Sequence, residues 1–169
     1  MYARDPPHPC MDDLILLLRR NARASSEDLA KELNTSIEAV NAHIAKLETD
    51  GVVLGYHVIV DPQKVPGSPV TAAIEVSITP ERGGGFDRLA HRISRFSEVQ
   101  SCFLMSGGYD LLVIVEGQTL QEVATFISEK LSTIKGVIST ATRFRLKAYK
   151  ENGVVLTRDP LPERLAVSP

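Results

Sequence analysis

The chain has 169 residues, 43% of them hydrophobic and 24% charged, with a formal net charge of −2. That is material for one good-sized domain or two small ones with a buried core, and the near-neutral balance gives the chain as a whole no electrostatic signature of a nucleic-acid binder. Two cysteines, Cys10 and Cys102, exclude a disulfide framework and any cysteine-based metal spacing, and apolar runs such as 14–18 and 111–115 are far too short to span a bilayer.

Residues 1–10, MYARDPPHPC, hold three prolines and no period and read as a disordered leader, with Met11 as an alternative start. There is no basic-then-apolar signal segment, and a reducing cytoplasm is the expected location. From Asp12 the pattern turns helical. Leu14, Leu17 and Leu18 share one face. Ser25 caps a second helix, with Asp28 three residues on and Leu29, Ala30 and Leu33 inward. Asn34 and Thr35 make a corner. Ser36 caps a third helix, in which Val40, Ile44 and Leu47 recur at i, i+4 and i+7 and Gly51 is the stop. The stretch VVLGYHVIV is expected to form two short strands bent at Gly55, a small wing. Residues 11–61 are therefore read as a winged helix-turn-helix domain, and the proline- and glycine-rich 62–69 as a linker.

After the linker the period changes. Residues 70–78 alternate as a strand. Phe86, Leu89, Ile93 and Phe96 recur at helical spacing. VQSCFLM and LLVIVEG are strands joined by SGGYD. LQEVATFISEKL is a helix with Leu120, Val123, Ile127 and Leu131 inward, and VISTATRFRLKAY is the last strand. The order βαββαβ predicts a ferredoxin-like domain over 70–150, with one antiparallel sheet and both helices on one face. The other face is apolar enough to call for a partner and suggests a homodimer. In the tail, 151–169, VVL and RLAV are each candidates for an added edge strand. The fold class is α+β: an N-terminal winged helix-turn-helix followed by a ferredoxin-like βαββαβ domain.

These stretches resemble the Lrp/AsnC family of bacterial and archaeal regulators. The similarity is carried by LLLRRNARASSEDLAKELNTSIEAVNAHIAKLETDGVVLGY, by 70–78, by FLMSGGYDLLVIVEG and by IKGVISTATRFRLKAY, and spans roughly 11–149. The resemblance implies a transcription regulator that binds double-stranded DNA and senses an amino acid or similar small molecule. It also implies dimerisation through the sheets and assembly of dimers into tetramers or octamers.

Two constellations follow. The third helix presents Ile37, Glu38, Asn41, Ala42 and Ala45 outward, with His43 and Lys46 at its margins. Asn41 is suited to bond adenine in bidentate fashion and Ala42 to touch a thymine methyl. Ser36, Asn41, Ala42, His43 and Lys46 are the candidate DNA contacts. Residues 1–60 nevertheless hold six Lys or Arg against nine Asp or Glu, a balance of −3. DNA affinity rests on phosphate neutralisation, so a single copy should bind weakly and linked copies more tightly. The competing reading is a sensor or assembly protein with a vestigial helix-turn-helix.

The second constellation is Ser106, Gly107, Gly108, Tyr109 and Asp110. Glycines allow close approach to backbone N–H groups, which can hold a carboxylate while Asp110 accepts an ammonium. A plain hairpin turn is the competing reading. The resemblance assigns this turn to an effector pocket at a dimer–dimer contact, and adds Ser139 and Thr140. Gly83, Gly84 and Gly85 read as a flexible loop rather than a phosphate cradle, and Arg88, Arg92 and Arg95 as a solvated helix edge. The four histidines are dispersed, so no metal, cofactor or catalytic set is expected. Sirohaem decarboxylases share this layout, but the chain lacks the basic, His-bearing cleft that a tetrapyrrole favours and is read as a non-enzyme.

Overall fold

The computed structural model describes residues 12–79 and 86–156. The leader with Cys10, the glycine triplet 83–85 and the RLAV stretch lie outside them. The chain divides into two compact units, Met1–Val58 and Ile59–Pro169.

The first unit contains α1 (Asp13–Arg20), α2 (Ser26–Glu32) and α3 (Ile37–Thr49). Each helix starts on a side-chain cap. Asp12 accepts the Leu14 N–H, Ser25 the Asp28 N–H and Ser36 the Ala39 N–H, each satisfying a donor the helix itself leaves open. Leu14, Leu18, Leu29, Ala30, Val40 and Leu47 form the core, with Leu17, Leu33 and Ile44 packed against it. The corner between α2 and α3 runs through Asn34 at φ 51°, a left-handed conformation that asparagine tolerates better than most residues. Gly51, at φ 68°, lets the chain turn back so that the Val52 N–H reaches the Leu47 carbonyl at 2.9 Å.

The wing differs from expectation. Residues 52–60 form no strand. Val52, Leu54, Tyr56, Val58 and Val60 are exposed, and so are Gly55 and His57, so the segment buries neither face. A strand needs a neighbour to take up its backbone groups, and none of the described residues supplies one here.

In the second unit, 61–68 fold as successive turns tied by the Ser68 hydroxyl, which donates to the Pro62 and Val65 carbonyls at 2.8 Å. Then come β1 (Val70–Ile78), α4 (Asp87–Ile93), β2 (Val99–Leu104), β3 (Leu111–Gly117), α5 (Leu120–Thr125), a π-helical turn (Phe126–Leu131) and β4 (Val137–Phe144). The sheet order is β2-β3-β1-β4, antiparallel throughout. Ala72, Ile74, Val76 and Ile78 of β1 alternate inward with Leu111, Val113 and Val115 of β3, and meet Ile93, Val123, Phe126, Leu131 and Ile134 from the helical side.

Leu120, expected inward, is 57% exposed, and Phe126 takes a core place instead. Leu120 opens α5, ahead of the π-helical turn; within that turn the extra residue places the next buried side chain after Phe126 at Leu131, i+5. The last strand stops at Phe144 rather than continuing to Tyr149. VVL adds no edge strand to the sheet. Val154–Val155 (β6) pairs locally with Lys150–Glu151 (β5) through Asn152 and Gly153, both at positive φ.

Register and alternation place Thr71, Ala73, Glu75 and Ser77 on the face away from the helices, beside Leu112, Ile114 and Glu116 of β3, Phe103 of β2 and Ser139, Ala141 and Arg143 of β4. This open face is apolar at its centre but is crossed by an ion pair: Arg143 Nε donates to Glu75 Oε1 at 2.9 Å. The guanidinium bond holds the Glu75 carboxyl below its usual range against the opposing effect of burial. A second strut runs from Arg145 Nη2 to the buried Thr71 hydroxyl at 2.8 Å, which in turn donates to Glu116.

Candidate nucleic-acid interface and effector turn

Helix α3 is braced from both neighbouring helices. Asp12, which caps α1 with one carboxylate oxygen, meets His43 Nε2 with the other at 2.8 Å. Ser26, the first residue of α2, donates its hydroxyl to Asn41 Oδ1 at 2.7 Å. These cross-braces tie α3 to the start of α1 through His43 and to the start of α2 through Asn41. Of the five expected DNA contacts, Asn41, Ala42 and Lys46 are exposed and carried on the helix itself. Ser36 is exposed but its hydroxyl accepts the Ala39 N–H at 3.2 Å. His43 is half-buried and committed to Asp12. Glu38 is exposed in the first turn. Its carboxyl is held low first by its own backbone N–H and then by the Ser36 hydroxyl, so the negative charge lies against the helix N-terminus. At the far end the Tyr56 phenol donates to Glu48 at 3.0 Å.

Ser26 and Asp12 were not among the expected functional residues. Neither carries a sequence signal for this role. Each reads as part of a helix start, and its partner lies 15 or more residues away.

The Ser106–Asp110 turn leaves the sheet between β2 and β3. Ser106, Gly107 and Gly108 are exposed; Tyr109 and Asp110 are half-buried. Gly107 sits at φ 138°, which disfavours any side chain. A Cβ built on Gly108 meets nothing within 4 Å, so the space beside the turn is open. Asp110 closes the end of the β1–β3 ladder. Its N–H donates to the Val76 carbonyl at 3.0 Å, its carbonyl accepts the Met105 N–H at 2.8 Å, and its Oδ2 accepts the Ile78 N–H at 2.8 Å. The ladder proper ends at the Val76–Leu111 pair, and the carboxylate serves the next strand N–H as a backbone carbonyl would. Asp110 therefore has a bracing role whatever else it does.

Ser139 is the Cα partner of Ser77 on β4, so it and Asp110 flank the same end of β1. Thr140 alternates to the helical side, where its hydroxyl lies 3.4 Å from that of Ser132. The two residues do not share a face, and only Ser139 joins the turn's neighbourhood. A hollow of about 390 Å³ lies at the other end of β3, lined by Glu98, Gly117, Val123, Phe126 and Lys130 among others. Among the described residues no group of three or more His, Cys, Asp or Glu is placed to hold a metal ion. No described helix is long and apolar enough to cross a membrane.

Comparison with known proteins adds independent findings. Residues 71–155 match the Lrp/AsnC ligand binding domain, and 13–53 match a winged helix-turn-helix DNA-binding domain. An HTH-type transcriptional regulator of Bacillus subtilis, YugG, is 44% identical over 93% of this chain and 95% of its own. The leucine-responsive regulatory protein of Haemophilus influenzae is 24% identical over 83% of this chain and 84% of its own. Among solved structures, a transcriptional regulator of Neisseria meningitidis in complex with L-Met superposes with a TM-score of 0.65 at 25% identity, covering 82% of this chain and 88% of that one.

Proposed function

The chain belongs to the Lrp/AsnC family and is a ligand-responsive, DNA-binding transcriptional regulator, and from that premise we propose that its effector is an amino acid held at the Ser106–Asp110 turn. One observation carries the effector reading. A relative of matching fold is in complex with L-Met, and this chain offers at the turn the groups an α-amino acid needs. Exposed Gly107 and Gly108 bring backbone donors for a carboxylate, and Asp110 offers a carboxylate for an ammonium. The turn is open on one side, so the site is completed by a second copy of the chain. We place that copy in a homodimer formed over the open sheet face, with dimers joined into a larger assembly that closes the turn.

Calorimetric titration with the standard amino acids tests the class of ligand. Absence of binding at millimolar concentration by all of them removes the amino-acid reading. The Asp110 variants then separate its two roles. Asp110→Asn keeps an oxygen for the Ile78 N–H but loses the charge, so it should retain the fold and lose most of the affinity. Asp110→Ala should lose both. Gly108→Val fills open space without straining the backbone and should block binding while leaving the melting temperature close to that of the wild type.

A further inference from the structure

The hydrogen bond between α2 and α3 bears on what the chain reads in DNA, and the inference rests on α3 lying in the major groove. Asn41 is exposed on α3, and an asparagine side chain can face a base with its carbonyl, its amide NH2, or both. With both, it makes the bidentate contact to adenine N6 and N7. Here Ser26 engages the carbonyl, taking one of its two lone pairs and drawing it toward α2. Its hydroxyl lies 2.7 Å from Asn41 Oδ1, a length characteristic of O–H···O bonds and shorter than the usual N–H···O. Ser26 is set by the start of α2, which follows directly on the Ser25 cap, so the hydroxyl is offered from a fixed place. The Asn41 carboxamide is thereby turned with its oxygen toward α2 and its NH2 outward.

We propose that Ser26 is a positioning residue that makes Asn41 a one-sided donor, so that Asn41 selects a base edge presenting acceptors. In the major groove that favours guanine, whose O6 and N7 both accept, or thymine, with O4, over adenine, whose one acceptor N7 lies beside the N6 donor that the amide cannot satisfy. The surroundings agree. His43, two residues along α3, is engaged by Asp12, and the Glu38 charge is drawn to the helix N-terminus. Neither competes for the Asn41 amide. Ser26 touches no base; it acts through the orientation it gives to another side chain.

The experiment is selection of bound duplexes from a randomised pool by the full-length protein, repeated with Asn41→Ala, Ser26→Ala and Ser26→Thr. Comparing wild type with Asn41→Ala identifies the base pair that depends on Asn41. The wild type should prefer guanine or thymine there by about fivefold to tenfold over adenine, within the range of a well-formed base contact. Ser26→Ala frees the amide to rotate, so adenine should rise to near parity at that one position. Preferences elsewhere and the melting temperature should be unchanged. Ser26→Thr keeps the hydroxyl and should restore the wild-type preference, which a merely structural role would not require. A wild-type preference for adenine at the Asn41-dependent position overturns the proposal. So does an unchanged preference in Ser26→Ala, while in either case base reading by α3 stands. If Asn41→Ala alters no position, base reading by this residue fails, and the proposal fails with it.

Discussion

At the scale of single residues, the polar side chains on α3 divide into those free to meet DNA and those already engaged. Lys46 is exposed on the helix, whereas His43 is tied to Asp12. Lys46→Ala should weaken binding to all sequences alike and lower the steepness of its salt dependence by about one counterion. Filter binding at several salt concentrations measures this. Glu38→Gln removes a negative charge from the presented side and should tighten binding at low salt, with the gain fading as salt screens it. The same substitution gives up a favourable charge at the helix N-terminus, so the melting temperature should fall slightly. On the sheet, Glu75 is held below its ordinary pKa by Arg143. A carboxyl depressed in the folded state contributes stability above its unfolded pKa, and that contribution is lost as pH falls through the folded value. Arg143→Ala should therefore move the Glu75 titration, followed by NMR, back toward the usual carboxylate range. These pairings were the least legible part of the sequence. Asp110 with Ile78, Asn41 with Ser26 and Arg143 with Glu75 are separated by 32, 15 and 68 residues, and no local pattern announces them.

At the scale of elements, local periodicity carried most of the reading. The caps at Ser25 and Ser36, the corner at Asn34 and the alternation of β1 all follow from short-range rules and lie where spacing placed them, while the Asp12 cap of α1 was not foreseen. Two departures show where such rules stop. The π-helical turn after Thr125 inserts a residue without any compositional mark and sets the buried Phe126 and Leu131 five residues apart, while Leu120 in the first turn of α5 is exposed. The consequence is measurable. Leu131→Ala empties a fully buried site and should cost about 2–5 kcal/mol in denaturant unfolding. Leu120→Ala, at an exposed site, should change stability by less than about 0.5 kcal/mol. Residues 52–60 show the second limit. An apolar, β-branched stretch is suited to be a strand, but pairing is a property of the neighbour, and the sequence of one segment does not contain it.

At the scale of the whole molecule, the single chain leaves apolar surface that a second copy would cover. Phe103 and Leu104 on the edge strand β2, and Ile138 on the edge strand β4, are more than half exposed, and Leu146 beyond β4 almost fully so. The chain should therefore sediment at micromolar concentration as a dimer or a multiple of dimers. A monomer would remove both the sheet-face dimer and the completion of the effector turn by a second copy. Repeated reading heads in such an assembly would compensate for the acidic balance of each one, since tethered sites gain through effective concentration.

The two hydrophobic clusters are separate: Leu14 through Leu47 in one, Ala72 through Ile134 in the other. That separation makes the chain divisible by recombination. A crossover in the gene near the codons for Val58 and Ile59 would deliver either half with its core complete. A sensor can in this way acquire a new operator, or a reading head a new signal, without the interior of either having to be rebuilt.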